Sequence, residues 1–571
     1  MPAQAHPSVC VFAMLCLGGF AAGAATAAAI AAATEGFDAT GQAAAPPPAS
    51  TPLLPEKNLC ENSAGAVALG SVQWNGWGRD LDNTRYQPEP ALRAADVAKL
   101  ALKWAYGSQN GAELGQPTIV DGRVFVAGAA GRIYSLDAKT GCTYWTYDAA
   151  AASRTPIIIG ELARARIAAM PRKIKRTLAH LDIIKAPSAA FFGDDTGAVY
   201  AVDAQKGTLL WKTQVDSHPL ARIVGAPTLS NDRLYVAVSS TEEALAAANP
   251  NYSCCTFRGS VTALDIASGR TVWKSYTVLE EAAPTQRNKA GIQEFGPAGA
   301  AISSAPTIDL KRGVLYVATG RASGSVDSAL TSAVVAFDLT DGKLRWVKQL
   351  GRADSAALSG FSSSPVLRTL ASGNEILLAA QKSGDIYGLD PDHGGDILWQ
   401  TRVAGAAAAP RAGATEAAGA VGPGEAGGVA WGTAADHRSL YVAISGLLAQ
   451  PAAITGSLTA LDLKTGIARW HATAPEPPCS WGAGNCSHAQ AQAVTVIPGI
   501  AFSGSMDGHL RAYSTIDGNI LWDFDTAKDW PTQNGIKAGG GPLDHGGATI
   551  VNGTVYVNSG NSLLAFTVNG K

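Results

Sequence analysis

Two glutamates follow a serine pair in the stretch LYVAVSSTEE: Ser239 and Ser240, then Glu242 and Glu243. Paired carboxylates at the end of a strand-like run could bind a hard cation, which prefers oxygen ligands; two exposed loop glutamates are the plainer alternative. Further along the same insertion Cys254 and Cys255 are neighbours. A disulfide between adjacent cysteines demands an unusual backbone turn, which suits a working site, with a local loop staple as the equal rival. Arg154, in the triplet Ser153-Arg154-Thr155, could hold a carboxylate as a bidentate donor or form a surface ion pair. Residues 161–187, ELARARIAAMPRKIKRTLAHLDIIKAP, are basic and partly helical in period. They read as a solvated insertion or as a docking patch for an acidic redox partner. No Cys-x-x-Cys-His occurs, which excludes covalent c-type haem, so any electron acceptor must be a separate molecule. Metalloprotease helix, phosphate-cradling loop and nucleophile elbow are likewise missing from the sequence.

Something must hold these groups together, and the chain announces it by repetition. VTALDIASGRTVW, ending at Trp273, returns as IYSLDAKTGCTYW at Trp145, VYAVDAQKGTLLW at Trp211 and VVAFDLTDGKLRW at Trp346. It recurs as IYGLDPDHGGDILW at Trp399, LTALDLKTGIARW at Trp470 and LRAYSTIDGNILW at Trp522, seven copies in all. Alternating residues mark a strand with one buried face. Asp-x-x-x-Gly is hairpin chemistry, the Asp capping turn amides and the Gly taking the positive φ. The Trp buries a large ring whose N–H needs a partner, which suits docking on the next unit. A lone hairpin cannot bury such a face, so copies must stack, and radial stacking gives a β-propeller.

The copies lie roughly 50 to 70 residues apart, beyond the about 40 to 50 of compact propeller repeats, and the excess must be loops, where function usually sits. LALKWAYG around Trp104 reads as a final strand lacking its hairpin, while VYVNSG and LLAFTV near the other end lack a following Trp strand. If the two ends share a blade, the fold is an all-β, eight-bladed propeller closed by its terminal strands. Residues 71–571 would form it, with 72–87 (VQWNGWGRDLDNTRYQ) covering the base or rim.

A propeller can absorb 571 residues in one domain. With 16% charged residues and a net charge of -2, nothing argues for nucleic acid. The apolar run in residues 1–33 ends in small residues and reads as a secretory signal cleaved between Ala24 and Ala33, although no Lys or Arg precedes it. A membrane anchor is the rival reading, disfavoured because the Ala-rich tail is weakly hydrophobic for a spanning helix. Residues 34–70 form a Pro- and Ala-rich linker. The expected location is periplasmic or secreted. Six cysteines remain after the signal, an even number that suggests disulfides. Cys479 and Cys486 could close one loop and Cys60 could tie to Cys142, which leaves the vicinal Cys254–Cys255 pair.

Several segments together carry a resemblance: WNGWGRDLDNTRYQP, GAPTL followed by LYVAVSSTEE, NYSCCTFRGSVTALD, GPAGAA before APTID, QKSGDIYGLD, GGVAWGTAAD and AVTVIPGIAFSGSMDGHLRAY. Over roughly residues 70 to 570 the chain resembles the polyvinyl-alcohol dehydrogenase group, eight-bladed quinoproteins that use pyrroloquinoline quinone (PQQ). The resemblance implies PQQ in the central channel, with Ca²⁺ polarising the quinone and a carboxylate taking the alcohol proton. It implies an alcohol as substrate and a separate cytochrome c or other electron acceptor. Arg154 is similar to the arginine that pairs with a PQQ carboxylate, Ser240 to a PQQ-contacting serine and Glu243 to the Ca²⁺ carboxylate ligand, with Glu242 beside it. Lys382 matches a basic residue at the quinone oxygens, and Trp431 lies in the GGxxWG segment lining the channel. Cys254 and Cys255 would stand beside the cofactor.

The same comparison exposes departures. Val224 replaces a Thr that bonds the cofactor, Ser303 a Trp that stacks on it, and Arg321 an Asn that coordinates Ca²⁺. A cation at 321 would repel the metal or replace its charge. The loop after Trp346 is shortened, and Asp354 is the nearby carboxylate left for the catalytic base. Two functions follow as expectations: a PQQ-dependent alcohol dehydrogenase acting on secondary or polymeric alcohols, or a catalytically degenerate propeller serving as a binding or scaffold module.

Overall fold

In a computed structural model of the chain the described residues are 53–571 apart from 63–64, 71–72, 112, 163–187, 325, 352–358, 404–427, 446–455 and 476–485. Eight antiparallel blades follow one another, spanning residues 118–148, 158–214, 228–276, 307–349, 366–402, 434–473, 495–525 and finally 549–568 with 100–107. We number them blades 1 to 8. The first strand of each blade lies innermost, where Thr228–Ser230 of blade 3 approaches Ile158–Glu161 of blade 2 and Thr307–Asp309 of blade 4. The ring closes as expected. Leu100–Gly107 pairs along Ser562–Val568, so blade 8 takes its outer strand from near the start of the chain.

The repeat explains how one blade meets the next. The indole N–H of Trp273 donates to the Leu339 carbonyl in blade 4 (3.2 Å). Equivalent bonds run from Trp104 to Ala138, Trp145 to Ala204, Trp211 to Ile266, Trp399 to Leu463, Trp470 to Thr515 and Trp522 to Leu100. Each acceptor but the last follows the capping residue of the next hairpin, so the turn that Asp fixes also presents the carbonyl. Across its own blade each indole faces a small residue, such as Ala263 opposite Trp273 and Gly388 opposite Trp399. A β-bulge at that point in every blade turns the strand toward the hairpin.

Glycine at the turn has two reasons to be there. Gly269 has φ of +70°, and a Cβ on it would lie 2.7 Å from both Trp211 Cδ2 and Thr213 Oγ1. Gly141, Gly207, Gly342, Gly395, Gly466 and Gly518 face the preceding blade's indole in the same way. Gly269→Ala should therefore cost about 1 to 3 kcal/mol through the left-handed backbone and the displaced indole together. Urea unfolding checks this, and an unchanged midpoint would show that the hairpin does not seat the ring.

One expectation about the strands needs correction. The third strand, for example Ser260–Asp265, is buried along nearly its whole length, not on one face. Blades pack face to face around the ring, so both faces of an inner strand meet a neighbour. The alternation in the sequence records large against small side chains; the exposed face belongs to the outer strands, such as Thr271–Tyr276.

Residues 74–87 do more than cover a rim, because they bond to blade after blade at the axis. Trp74 exchanges backbone bonds with Ile119, Asn75 bonds Ile159, and the Ile308 amide donates to Leu81. Leu367 donates to Asp82, Ala435 to Thr84 and Val496 to Arg85, and the Gln87 side chain reaches Ile550. The segment is a plug across one stretch of the channel. At its centre the fully buried Arg85 donates to Val494 O (2.6 Å), Trp77 O (2.8 Å), Gln116 Oε1 (2.7 Å) and Thr495 Oγ1 (3.0 Å). Its guanidinium also stacks 4.5 Å from the Trp77 ring.

Cys60–Cys142 and Cys254–Cys255 form disulfides. Cys486 is also disulfide-bonded, while Cys479 lies outside the described residues. Among the described residues no helix is long and apolar enough to cross a membrane. The expected signal segment, residues 1–33, falls outside them.

Candidate active site

Two hollows adjoin at the end of the ring where inner strands begin and second strands finish. The first, of about 630 Å³ counting space continuous with solvent, includes Ser240, Glu243, Ser303, Arg321 and Lys382 in its wall. The second, of about 620 Å³ on the same measure, takes in Arg154, Arg222, Val224, Trp431 and His545, with Trp77 of the plug. Short links tie their walls together. A side chain at Gly225, beside Val224, would strike the carbonyl of Ser304, beside Ser303. Ser362 donates to the Ala430 carbonyl (2.7 Å), joining the segment of Phe361 to that of Trp431. Of the sequence-derived candidates, Ser240, Glu242, Glu243 and Lys382 line the first hollow and Arg154 and Trp431 the second.

In the first hollow, Arg321 and Glu243 form an ion pair between the connections joining the second and third strands of blades 4 and 3, and both side chains remain about 40% exposed (42% and 40%). Ser239 and Ser303 hydroxyls meet at 3.0 Å. Ser240 Oγ accepts the amide of Glu242 (2.9 Å), where the helix Glu242–Ala248 begins. Lys382 follows the second strand of blade 5, its amide bonded to Gly360 O (3.1 Å).

Glu242 has a task that its sequence position did not reveal. Its carboxylate accepts the amides of Thr256 (2.9 Å) and Phe257 (2.8 Å) and the Tyr252 hydroxyl (2.9 Å), with His218 Nε2 at 3.6 Å. Burial alone would raise its pKa, but the hydrogen bonds from His218, both amides and Tyr252 outweigh it and hold the group below the usual range. Glu242 therefore fixes the loop after Cys254–Cys255 and so the Phe257 ring in the hollow's wall. The cysteines themselves line neither hollow; they bond the Phe295 backbone at the rim.

In the second hollow Arg154 faces Glu113 at 3.6 Å, and its buried Nε has no hydrogen-bond partner. Arg222 lies 3.9 Å from Asp195. His545, unremarked in the sequence, holds Asp544 through Nδ1 (2.6 Å) and packs 5.1 Å from the Trp431 ring. Burial would lower the His545 pKa; Asp544, with Glu113 beyond, outweighs that and the opposing Arg154, so the imidazole keeps its proton above the ordinary histidine range. The one signal in the sequence was an Asp-His pair just before an inner strand.

Asp354 lies outside the described residues. So do residues 163–187 of the basic insertion, which opens at Glu161, paired with Ser188 at the end of blade 2 away from the hollows.

An eight-bladed ring with cationic side chains around an axial trough defines a class: this chain belongs to the PQQ β-propeller dehydrogenase family. Residues 74–409 match the family described as glucose/ethanol/alcohol dehydrogenase, beta-propeller domain. More narrowly, the chain is 40% identical to a polyvinylalcohol dehydrogenase of a Pseudomonas species over 561 residues, covering 92% of this chain and 81% of that one. A polyvinylalcohol dehydrogenase of Sphingopyxis sp. strain 113P3 is 38% identical over 91% of this chain and 80% of its own. The fold matches the crystal structure of quinohemoprotein alcohol dehydrogenase from Comamonas testosteroni with a TM-score of 0.62 at 18% identity, covering 88% and 81% of the two chains.

The donor set fits PQQ, a flat group carrying several carboxylates. Arg154 offers an unpaired buried N–H at one end, and Lys382 and Arg321 stand at the other. It does not fit Ca²⁺. Among the described residues no three His, Cys, Asp or Glu side chains could share a metal, and Glu243 is already ion-paired with Arg321.

Proposed function

We propose that this chain is a PQQ-dependent alcohol dehydrogenase that is exported, oxidises secondary or polymeric alcohols and passes electrons to a separate acceptor. The observation that carries the reading is the placement of cations at both ends of the paired hollows, in a chain 40% identical to a polyvinylalcohol dehydrogenase. Arg154 would hold a carboxylate of the cofactor, with Trp431 and His545 in the same wall. Lys382 would donate to the quinone oxygens and supply a fixed positive charge beside them. The chemistry PQQ supplies when bound is two-electron oxidation of the alcohol. Glu242 and the Cys254–Cys255 loop keep Phe257 in place against the substrate side. With no haem-attachment motif in the chain, the electrons leave to another protein or dye. The trough is open to solvent, which suits a long-chain alcohol.

A second reading has its own support. Ser303 puts a small hydroxyl in the hollow's wall, and Glu242 is engaged with backbone amides, so a propeller that binds its ligand without turning it over is the alternative. One experiment separates them. Purified protein titrated with micromolar PQQ should show quinone absorbance and then reduce dye when given a secondary alcohol or polyvinyl alcohol. Binding without dye reduction would favour the second reading, and no binding would remove the first.

A further inference from the structure

We infer that the guanidinium of Arg321 is the resident cation of the Glu243 site, so that this hollow takes an anionic, oxygen-rich ligand without a divalent metal. The inference rests on the reading above for the identity of that ligand, but its claim about metal stands apart.

A calcium ion needs six to eight oxygens, and magnesium a near-octahedral set. Most of the side-chain oxygens near Glu243 are already committed. Ser239 and Ser303 bond each other, Ser240 accepts the Glu242 amide, and Glu242 is filled by two amides and a tyrosine hydroxyl. The carboxylate that remains is Glu243, and Arg321 Nη2 meets its Oε1. A guanidinium keeps its charge at every physiological pH, so it cannot step aside for a metal by losing a proton.

The backbone also holds Arg321 in position. Its carbonyl accepts the Ala300 amide (3.0 Å), and a Cβ on Gly360 would lie 2.9 Å from its nitrogen, so the neighbouring loop approaches closely because it is glycine. With Lys382 in the same wall, two cations face one available carboxylate. The surplus positive charge, together with the planar N–H fork, suits a ligand bearing carboxylate or quinone oxygens.

The test uses the full chain, stripped with EDTA. In calorimetry with Ca²⁺ alone, wild type should show no binding that Glu243→Gln removes. PQQ affinity, followed by absorbance, should differ less than twofold between EDTA and millimolar Ca²⁺. Arg321→Asn should bind PQQ at least tenfold more weakly in EDTA. Micromolar Ca²⁺ binding by wild type that disappears in Glu243→Gln would overturn the inference, as would unchanged PQQ affinity in Arg321→Asn. If wild type binds no PQQ in either buffer, the proposed function falls, while the Ca²⁺ titration still decides whether Arg321 has displaced the metal.

Discussion

Exchanging Lys382 for methionine is expected to lower alcohol-dependent dye reduction at least a hundredfold while the thermal transition stays within a few degrees. The substitution keeps the length and apolar stem of the side chain and removes only the charge. Lys382 sits on the turn between the second and third strands of blade 5, with its backbone held by Gly360, so the ammonium is presented to the hollow by a fixed frame. A preorganised donor at the point where negative charge grows is worth roughly 10² to 10³ in rate. Because such a donor acts mostly as the charge develops, kcat should fall more than PQQ affinity. Steady-state dye reduction with a parallel cofactor titration measures both, and a loss below tenfold would remove Lys382 from the reacting end.

The second large effect concerns stability. Arg85→Leu should cost about 3 to 5 kcal/mol in urea unfolding, as expected when one partner of a buried polar network is removed. The loss has an identifiable source: the Val494 carbonyl and the Gln116 amide oxygen would lose their donor deep in the axis, while the Trp77 carbonyl would keep only Gln116 Nε2 and the Thr495 hydroxyl only its bond to Ala548 O. Burial pulls the Arg85 pKa down to about 9, which shows how far the site already taxes the charge. Leucine relieves that desolvation yet leaves the Val494 and Gln116 oxygens dry. A change below about 1 kcal/mol would mean that water or a rearranged plug replaces the guanidinium.

Legibility in the sequence followed the range of the interactions. The hairpins could be read because Asp, Gly and Trp act within a dozen residues of one another, and the ring could be counted because its two ends were each half a blade. The plug could be placed only loosely, since Arg85 finds Thr495 some four hundred residues later (separation 410) and nothing near Arg85 announces it. In the site, the oddity of Arg321 was visible, whereas its ion pair with Glu243 depends on two loops from different blades. Glu242 could not be recognised as a loop anchor because two of its partners are backbone amides, which carry no side-chain signature, and His218 reaches it from an earlier loop. His545 and Asp544 needed the fold to bring blade 8 against Trp431.

Blade 8 has one more implication, for the order of events during synthesis. Its edge, Leu100–Gly107, leaves the ribosome hundreds of residues before Ser562–Val568, the strand it zips against. Until the final stretch emerges, the nascent chain is an open arc with unsatisfied edges at both tips, and long-range pairing of this kind is slow. Closure is therefore the last step of folding, and until it happens both tips stay open to mispairing with another chain.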